Sequence, residues 1–160
     1  MATEANNGGQ NPAQPQIRGL GQYIKDLSFE NPNAPRSLQP QTAAPQINIQ
    51  VNVNAKQLAP NDFEVELKLE GGAGEAANML FKFELAYCGV FQLQGIPDDQ
   101  KHAVVMIECP RLLFPFARQI IADAVGGGGF PPFLLNPIDF HALYAQRIAE
   151  AQQNRPATVS

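Results

Sequence analysis

The clearest signal in the chain is alternation. Ile47, Ile49, Val51 and Val53 alternate without interruption with Asn48, Gln50, Asn52 and Asn54, the period-two pattern of a strand with one buried face and one wet face. Phe63, Val65, Leu67 and Leu69 repeat the pattern against Glu64, Glu66, Lys68 and Glu70. Ala59-Pro60-Asn61-Asp62 between the two runs carries turn residues, so a hairpin is expected. Upstream, Tyr23, Lys25, Leu27 and Phe29 alternate with Ile24, Asp26, Ser28 and Glu30, which reads as a strand with an acidic outer face. Asn31-Pro32-Asn33-Ala34-Pro35 ends it, and a proline-punctuated connection runs on to Pro45. After a glycine-rich turn at 71–74, Met79, Phe81, Phe83 and Leu85 alternate with Leu80, Lys82, Glu84 and Ala86. Gly89 interrupts this run before Val90 to Leu93, and a lone glycine in a strand pattern marks a bulge or a close backbone approach. One long, bent fourth strand is expected.

From Pro97 the period becomes helical. Asp98 and Asp99 suit a first turn, Ala103, Val104, Ile107 and Cys109 follow, and Pro110 stops or kinks the run. A second helix is expected over 112–125, with the stripe Leu113, Phe116, Ala117, Ile120, Ile121 and Ala124, ended by Gly126 to Gly129. A last helix opens with Asn136 as cap and Pro137 in its first position, and carries Phe140, Leu143, Tyr144, Arg147 and Ile148 at helical spacing. Strands followed by helices define an α+β fold, a four-stranded antiparallel sheet with helices packed on one side. Residues 1–16 and 152–160 are polar and aperiodic and read as tails around a single domain over 17–151.

Composition adds a constraint. Charged residues make up 16% of the 160, against about 25% in an ordinary soluble domain, so an oligomer interface, a ligand groove or both should cover some of the surface. The net charge of −4, with no cluster of Lys or Arg, argues against nucleic acid as a partner. Residues 1–16 lack the basic and apolar regions of an export signal, and no apolar run approaches the roughly 18 residues of a membrane span, so a soluble, cytoplasmic protein is expected.

Catalytic machinery is sparse. His102 and His141 sit in no metal spacing, no nucleophile elbow is present, and Cys88 and Cys109 read as small buried hydrophobes, so neither enzyme activity nor a metal or other cofactor is expected. Asp26 and Glu30 lie about 13 Å apart along a strand, too far for an acid–base pair, and read either as plain solvation of an exposed strand or as a docking patch for a basic partner. Gly126, Gly127, Gly128 and Gly129 precede Phe130-Pro131-Pro132-Phe133. This reads either as a plain inter-helix linker or as a hinge beside a semi-rigid apolar lid. The ten phenylalanines exceed what one small core needs. Phe81, Phe91, Phe114, Phe116, Phe130 and Phe133 are the candidates for a groove that binds extended apolar peptide by area and flat contacts, without reading its sequence.

Three blocks resemble the SecB family: Tyr23 to Glu30 with Asn31-Pro32-Asn33-Ala34-Pro35, Cys109-Pro110-Arg111-Leu112-Leu113-Phe114-Pro115-Phe116-Ala117-Arg118, and Gly129-Phe130-Pro131 with Leu135 to Phe140. Together they cover about 23–144. The resemblance implies a cytoplasmic export chaperone assembled as a homotetramer, a dimer of dimers. It also implies capture of unfolded preproteins in hydrophobic grooves near the hinge, without nucleotide, and delivery to the SecA motor ATPase. The family's SecA-docking positions map onto Asp26, Glu30 and Glu84; a neighbouring family position that is often apolar is Lys82 here. Two other readings are a small oligomeric enzyme of thioesterase-like fold, which requires a closed pocket with a convergent carboxylate, and a passive assembly factor for one partner.

Overall fold

The computed structural model describes residues 14–154. Among them, four strands, β1 (Gln16–Glu30), β2 (Ile47–Ala59), β3 (Asp62–Ala73) and β4 (Phe81–Gln94), form one antiparallel sheet in the order β1-β4-β3-β2. Two α-helices follow, α1 (Asp98–Gly127) and α2 (Phe140–Gln153). The fold is therefore α+β, with α1 laid across one face of β3 and β4. Most of the two expected tails lies outside the described residues; Gln16 already belongs to β1, and Gln152 and Gln153 still belong to α2.

Alternation sets the faces. Val65, Leu67 and Leu69 of β3 and Phe83, Leu85 and Phe91 of β4 are buried beneath Val105, Cys109, Leu113, Ala117, Ile121 and Val125 of α1. Glu64, Glu66, Lys68 and Glu70 point to the opposite, outer face, as their alternate positions require. β2 and β3 close the expected hairpin, with Ala59 opposite Asp62. Gly89 stays in register with Gln22 and Val65, so it is not a bulge. Its close approach is real: a Cβ there would lie 2.6 Å from the Phe91 ring and 2.9 Å from Leu113 Cδ2.

Four expectations are corrected. First, the two helices expected on either side of Pro110 are one 30-residue helix with Pro110 and Pro115 inside it. Pro110 is buried against the core between Cys109 and Leu113, and packing outweighs the hydrogen bond each proline removes. Second, the helix continues through Gly127, two residues past the expected end. Third, α2 starts later than read: Asp139, not Asn136, is its cap and accepts from the Ala142 amide at 3.0 Å. Fourth, β1 does not alternate strictly, because Lys25 is an extra residue between the pairs Ile24 with Tyr87 and Asp26 with Ala86. This bulge puts Tyr23 and Lys25 on the outer face with Asp26, and Ile24 on the inner side with Leu27 and Phe29.

Candidate functional site

The outer face gathers the three acids singled out from the sequence. Glu84 of β4 stands opposite Ser28 of β1, midway between Asp26, opposite Ala86, and Glu30, opposite Lys82. All three acids thus share one patch on two neighbouring strands. Register adds an acid that alternation alone does not single out. Glu70 of β3 faces Glu84 across the ladder, and Lys68 offsets this like-charge pair by binding Glu70 at 3.1 Å. Next to it a shallow hollow of about 220 Å³ opens over Gly71 and Gly72, with Glu70, Met79 and Lys82 on its rim. Lys82 therefore stands beside the acid patch, opposite Glu30.

Further along the same face, Tyr23 and Lys25 converge on Glu64. The Tyr23 hydroxyl donates to Glu64 Oε2, and Lys25 Nζ donates to Glu64 Oε1 at 3.1 Å. The bond to Glu64 is the main reason the Tyr23 hydroxyl is pushed up to about 12, and the same two donors hold the Glu64 carboxyl below its ordinary range. Cys88 lies fully buried on this face, opposite Tyr23, while Cys109 lies on α1 beneath the other face. Burial pushes the Cys88 thiol up to about 11 and the Cys109 thiol up to about 12, the reverse of an activated nucleophile.

The phenylalanines divide into separate groups. Phe130 and Phe133, half-buried in the segment after α1, pack on Phe81 with ring centroids 5.1 and 6.5 Å apart, and Phe29 stacks on the same ring at 6.0 Å. Phe114 packs edge-on against Phe140 at 6.1 Å, and Phe91 is buried in the sheet core. Phe116 is 53% exposed on the far side of α1, one turn from Leu112 at 47%. Of the six candidates, then, Phe81, Phe130 and Phe133 form one aromatic cluster; Phe91 and Phe114 are core, and Phe116 is solvent-facing. Exposed Leu38 and Leu134 lie in the connections around the cluster.

Gly126 and Gly127 continue α1, Gly128 caps it, and Gly129 takes a φ of 92°. Asn31, the residue after the acidic strand, ties the β1–β2 connection to this turn. Its side-chain amide donates to the Gly128 carbonyl at 3.1 Å and its oxygen accepts from the buried Ser37 hydroxyl at 2.6 Å. Asn33 secures the same connection to the β3–β4 turn by donating to Met79 O at 2.8 Å.

An open cleft of about 960 Å³ lies on the helix side, between the β2–β3 hairpin and the two helices. Val53, Leu58, Phe63, Val105 and Met106 give it apolar walls, with Lys101, His102 and Arg147 at the rim. Arg147 of α2 donates to the Val53 carbonyl, and His102 Nδ1 lies 3.0 Å from the Tyr144 hydroxyl, so α2 closes one side. The sequence did not single out this cleft, because its walls come from β2, β3, α1 and α2 and meet only in the folded chain. Among the described residues no three His, Cys, Asp or Glu side chains converge as metal ligands, and no helix is long and apolar enough to cross a membrane.

A long helix laid on a β1-β4-β3-β2 antiparallel sheet is a fold that this chain shares with a SecB-like chaperone. The SecB-like chaperone of Mycobacterium tuberculosis, solved in complex with a ChAD peptide from the HigA1 antitoxin, superposes with a TM-score of 0.58 at 16% identity, over 78% of this chain and 90% of that one. The chain belongs to the SecB family: the family model described as preprotein translocase subunit SecB matches residues 10–151. The protein-export protein SecB of Methylocella silvestris is 60% identical over 157 residues, 98% of each chain, and that of Beijerinckia indica subsp. indica is 65% identical over 142 residues, 89% of each.

Proposed function

We propose that this SecB-family chain holds unfolded secretory precursors in the cytoplasm, without turnover of any substrate, and delivers them to SecA. The observation that carries this reading is the division of labour between the two faces of the sheet. Apolar surface open enough for an extended chain lies on the helix side, in the cleft of about 960 Å³ and around the Phe81, Phe130 and Phe133 cluster. Carboxylates that take part in no ion pair among the described residues lie on the outer side at Asp26, Glu30 and Glu84. A client can therefore be held without covering the docking face. Burial of client side chains by area supplies affinity without sequence preference, and acids on an exposed sheet steer a basic partner. The glycine run Gly126 to Gly129, where α1 ends, acts as the hinge for the segment carrying Phe130 and Phe133, exposing Phe81 when it lifts.

Homotetramer assembly as a dimer of dimers accounts for the remaining apolar surface. Leu112 and Phe116 face away from their own sheet, and Ile24 and Leu27 on the inner side of β1 stay exposed although α1 lies on that side. A helix from a second copy laid on β1 covers both. Mixing the purified protein with a slowly folding precursor should delay refolding without ATP; no delay at stoichiometric tetramer would end this reading. Asp26→Asn with Glu84→Gln should weaken SecA binding and leave the delay intact, whereas equal loss of both functions would mean misfolding and not a docking role.

A further inference from the structure

We infer that Glu64 is a positioning residue of the docking face: by gripping Tyr23 and Lys25 across β4 it holds the β1 bulge that turns Asp26 and Glu30 outward. The inference rests on the reading of those acids as the docking surface, and extends it to residues to which that reading assigns no role.

Register shows why the bulge matters. Side chains alternate along a strand, so Ile24, which pairs with the buried Tyr87, would in an unbroken strand be followed by Asp26, Ser28 and Glu30 on its own inner side. Leu27 and Phe29 would then face water. The extra residue Lys25 reverses this. Asp26 pairs with Ala86 and Glu30 with Lys82 on the outer face, while Phe29 pairs with the buried Phe83. β1 is an edge strand, bonded only to β4, and nearly all of it is exposed, so the core holds this register weakly.

Glu64 supplies a second hold. It sits on β3 opposite Val90, with β4 lying between it and β1, so a bond from Glu64 to β1 spans the intervening strand. Its two oxygens take separate donors on either side of Ile24: the Tyr23 hydroxyl on Oε2 and the bulged Lys25 ammonium on Oε1. The raised Tyr23 hydroxyl and the lowered Glu64 carboxyl both reflect this contact. The grip also engages the Lys25 ammonium with a carboxylate two strands away, so that Lys25 is paired with Glu64 and not with Asp26, its neighbour in sequence. Glu66, two residues on and also on the outer face, accepts from Asn54 at 3.5 Å and has no hydrogen bond to β1.

Glu64→Ala, Glu66→Ala, Asp26→Asn and the double variant Glu64→Ala with Asp26→Asn, made in the full chain, test the inference. SecA affinity, client refolding delay and amide hydrogen exchange over 23–30 are read for each. Glu64→Ala should weaken SecA binding about fivefold and speed exchange around Lys25, with client holding unchanged. Glu66→Ala removes the same charge from the same face and should do much less. In the double variant the effect of Asp26→Asn should shrink, since acids that are no longer presented cannot be lost twice. Equal effects of Glu64→Ala and Glu66→Ala would reduce Glu64 to one more surface charge and overturn the inference, as would strict additivity with Asp26→Asn. Loss of client holding in Glu64→Ala would overturn it as well, by making the residue merely structural. If Asp26→Asn itself leaves SecA affinity unchanged, the docking reading fails first and the role of Glu64 fails with it.

Discussion

The glycine run at 126–129 makes a prediction in which neighbouring substitutions have opposite signs. A Cβ built on Gly126 or Gly127 meets nothing within 4 Å, and both residues have helical backbone at the end of α1. Glycine in a helix costs about 0.5–1 kcal/mol relative to alanine. Because a last turn frays, Gly126→Ala with Gly127→Ala should stabilise by about 1 kcal/mol in total, or roughly 2–4 °C in a chain of this size. Gly128 has an ordinary φ of −76°, so its backbone accepts alanine, but its Cβ would lie 2.6 Å from two atoms of the Phe29 ring. That ring is stacked on Phe81 and packed against the core, so moving it gives up those contacts. Overpacking of this kind costs about 1–3 kcal/mol. Gly129 fails for a different reason: its φ of 92° strains any other residue by about 1–2 kcal/mol, while the nearby Leu38 side chain is exposed and yields. Urea midpoints for the four single variants, taken at one protomer concentration because assembly adds to apparent stability, give the comparison. Phe29→Leu should recover part of the Gly128→Ala loss and none of the Gly129→Ala loss. If Gly128→Ala is as harmless as Gly126→Ala, then Phe29 does not pack on the helix end in solution and the closed position of the lid is refuted.

Three further outcomes follow from the site geometry. Cys88 and Cys109, buried with thiols raised to about 11 and about 12, should resist a thiol reagent at pH 8 until the protein is denatured; rapid labelling of either in the native protein contradicts the packing. Tyr23 is one of three tyrosines, and its hydroxyl, raised to about 12, should give the alkaline absorbance transition that disappears in Tyr23→Phe. A raised phenol binds its proton more tightly in the folded chain. Its stabilising contribution is therefore complete below pH 10 or so and is lost as pH rises through about 12, a loss that Tyr23→Phe should reduce. Phe116→Glu, at a position 53% exposed, should lower the mass in solution while leaving the far-ultraviolet spectrum unchanged; an unchanged mass removes α1 from the assembly surface.

Period-two alternation located all four strands because each keeps its apolar residues to one side over most of its length, and the turn residues between β2 and β3 placed the hairpin correctly. Helix boundaries were less legible. Pro110 and Pro115 are local stop signals, yet the apolar stripe on either side of them packs on one continuous sheet face, and nothing in a local window shows that the two stripes share it. Asn136 and Asp139 both suit a helix cap. The choice between them depends on where Leu135 and Phe140 reach the core, which is a tertiary matter.

The site was legible only as far as faces could be read without register. Asp26 and Glu30 announce themselves by alternation, but their meeting with Glu84 depends on β1 pairing with β4, its neighbour in the sheet and the most distant strand in sequence. Glu70 and Glu64 carry no distinguishing signal at all: each is one Glu among several on β3, and only the β3–β4 register places one opposite Glu84 and brings the other within reach of Tyr23. The bulge at Lys25 is equally silent, since it uses no glycine or proline. The unbroken pattern nevertheless sends Asp26, Ser28 and Glu30 outward, because Leu27 and Phe29 must face the core. The conflict falls on Tyr23, Lys25 and Ile24, which the pattern assigns to the wrong sides. A strand whose two halves demand opposite registers has to contain an extra residue between them. Here that residue is Lys25, the ammonium that Glu64 holds.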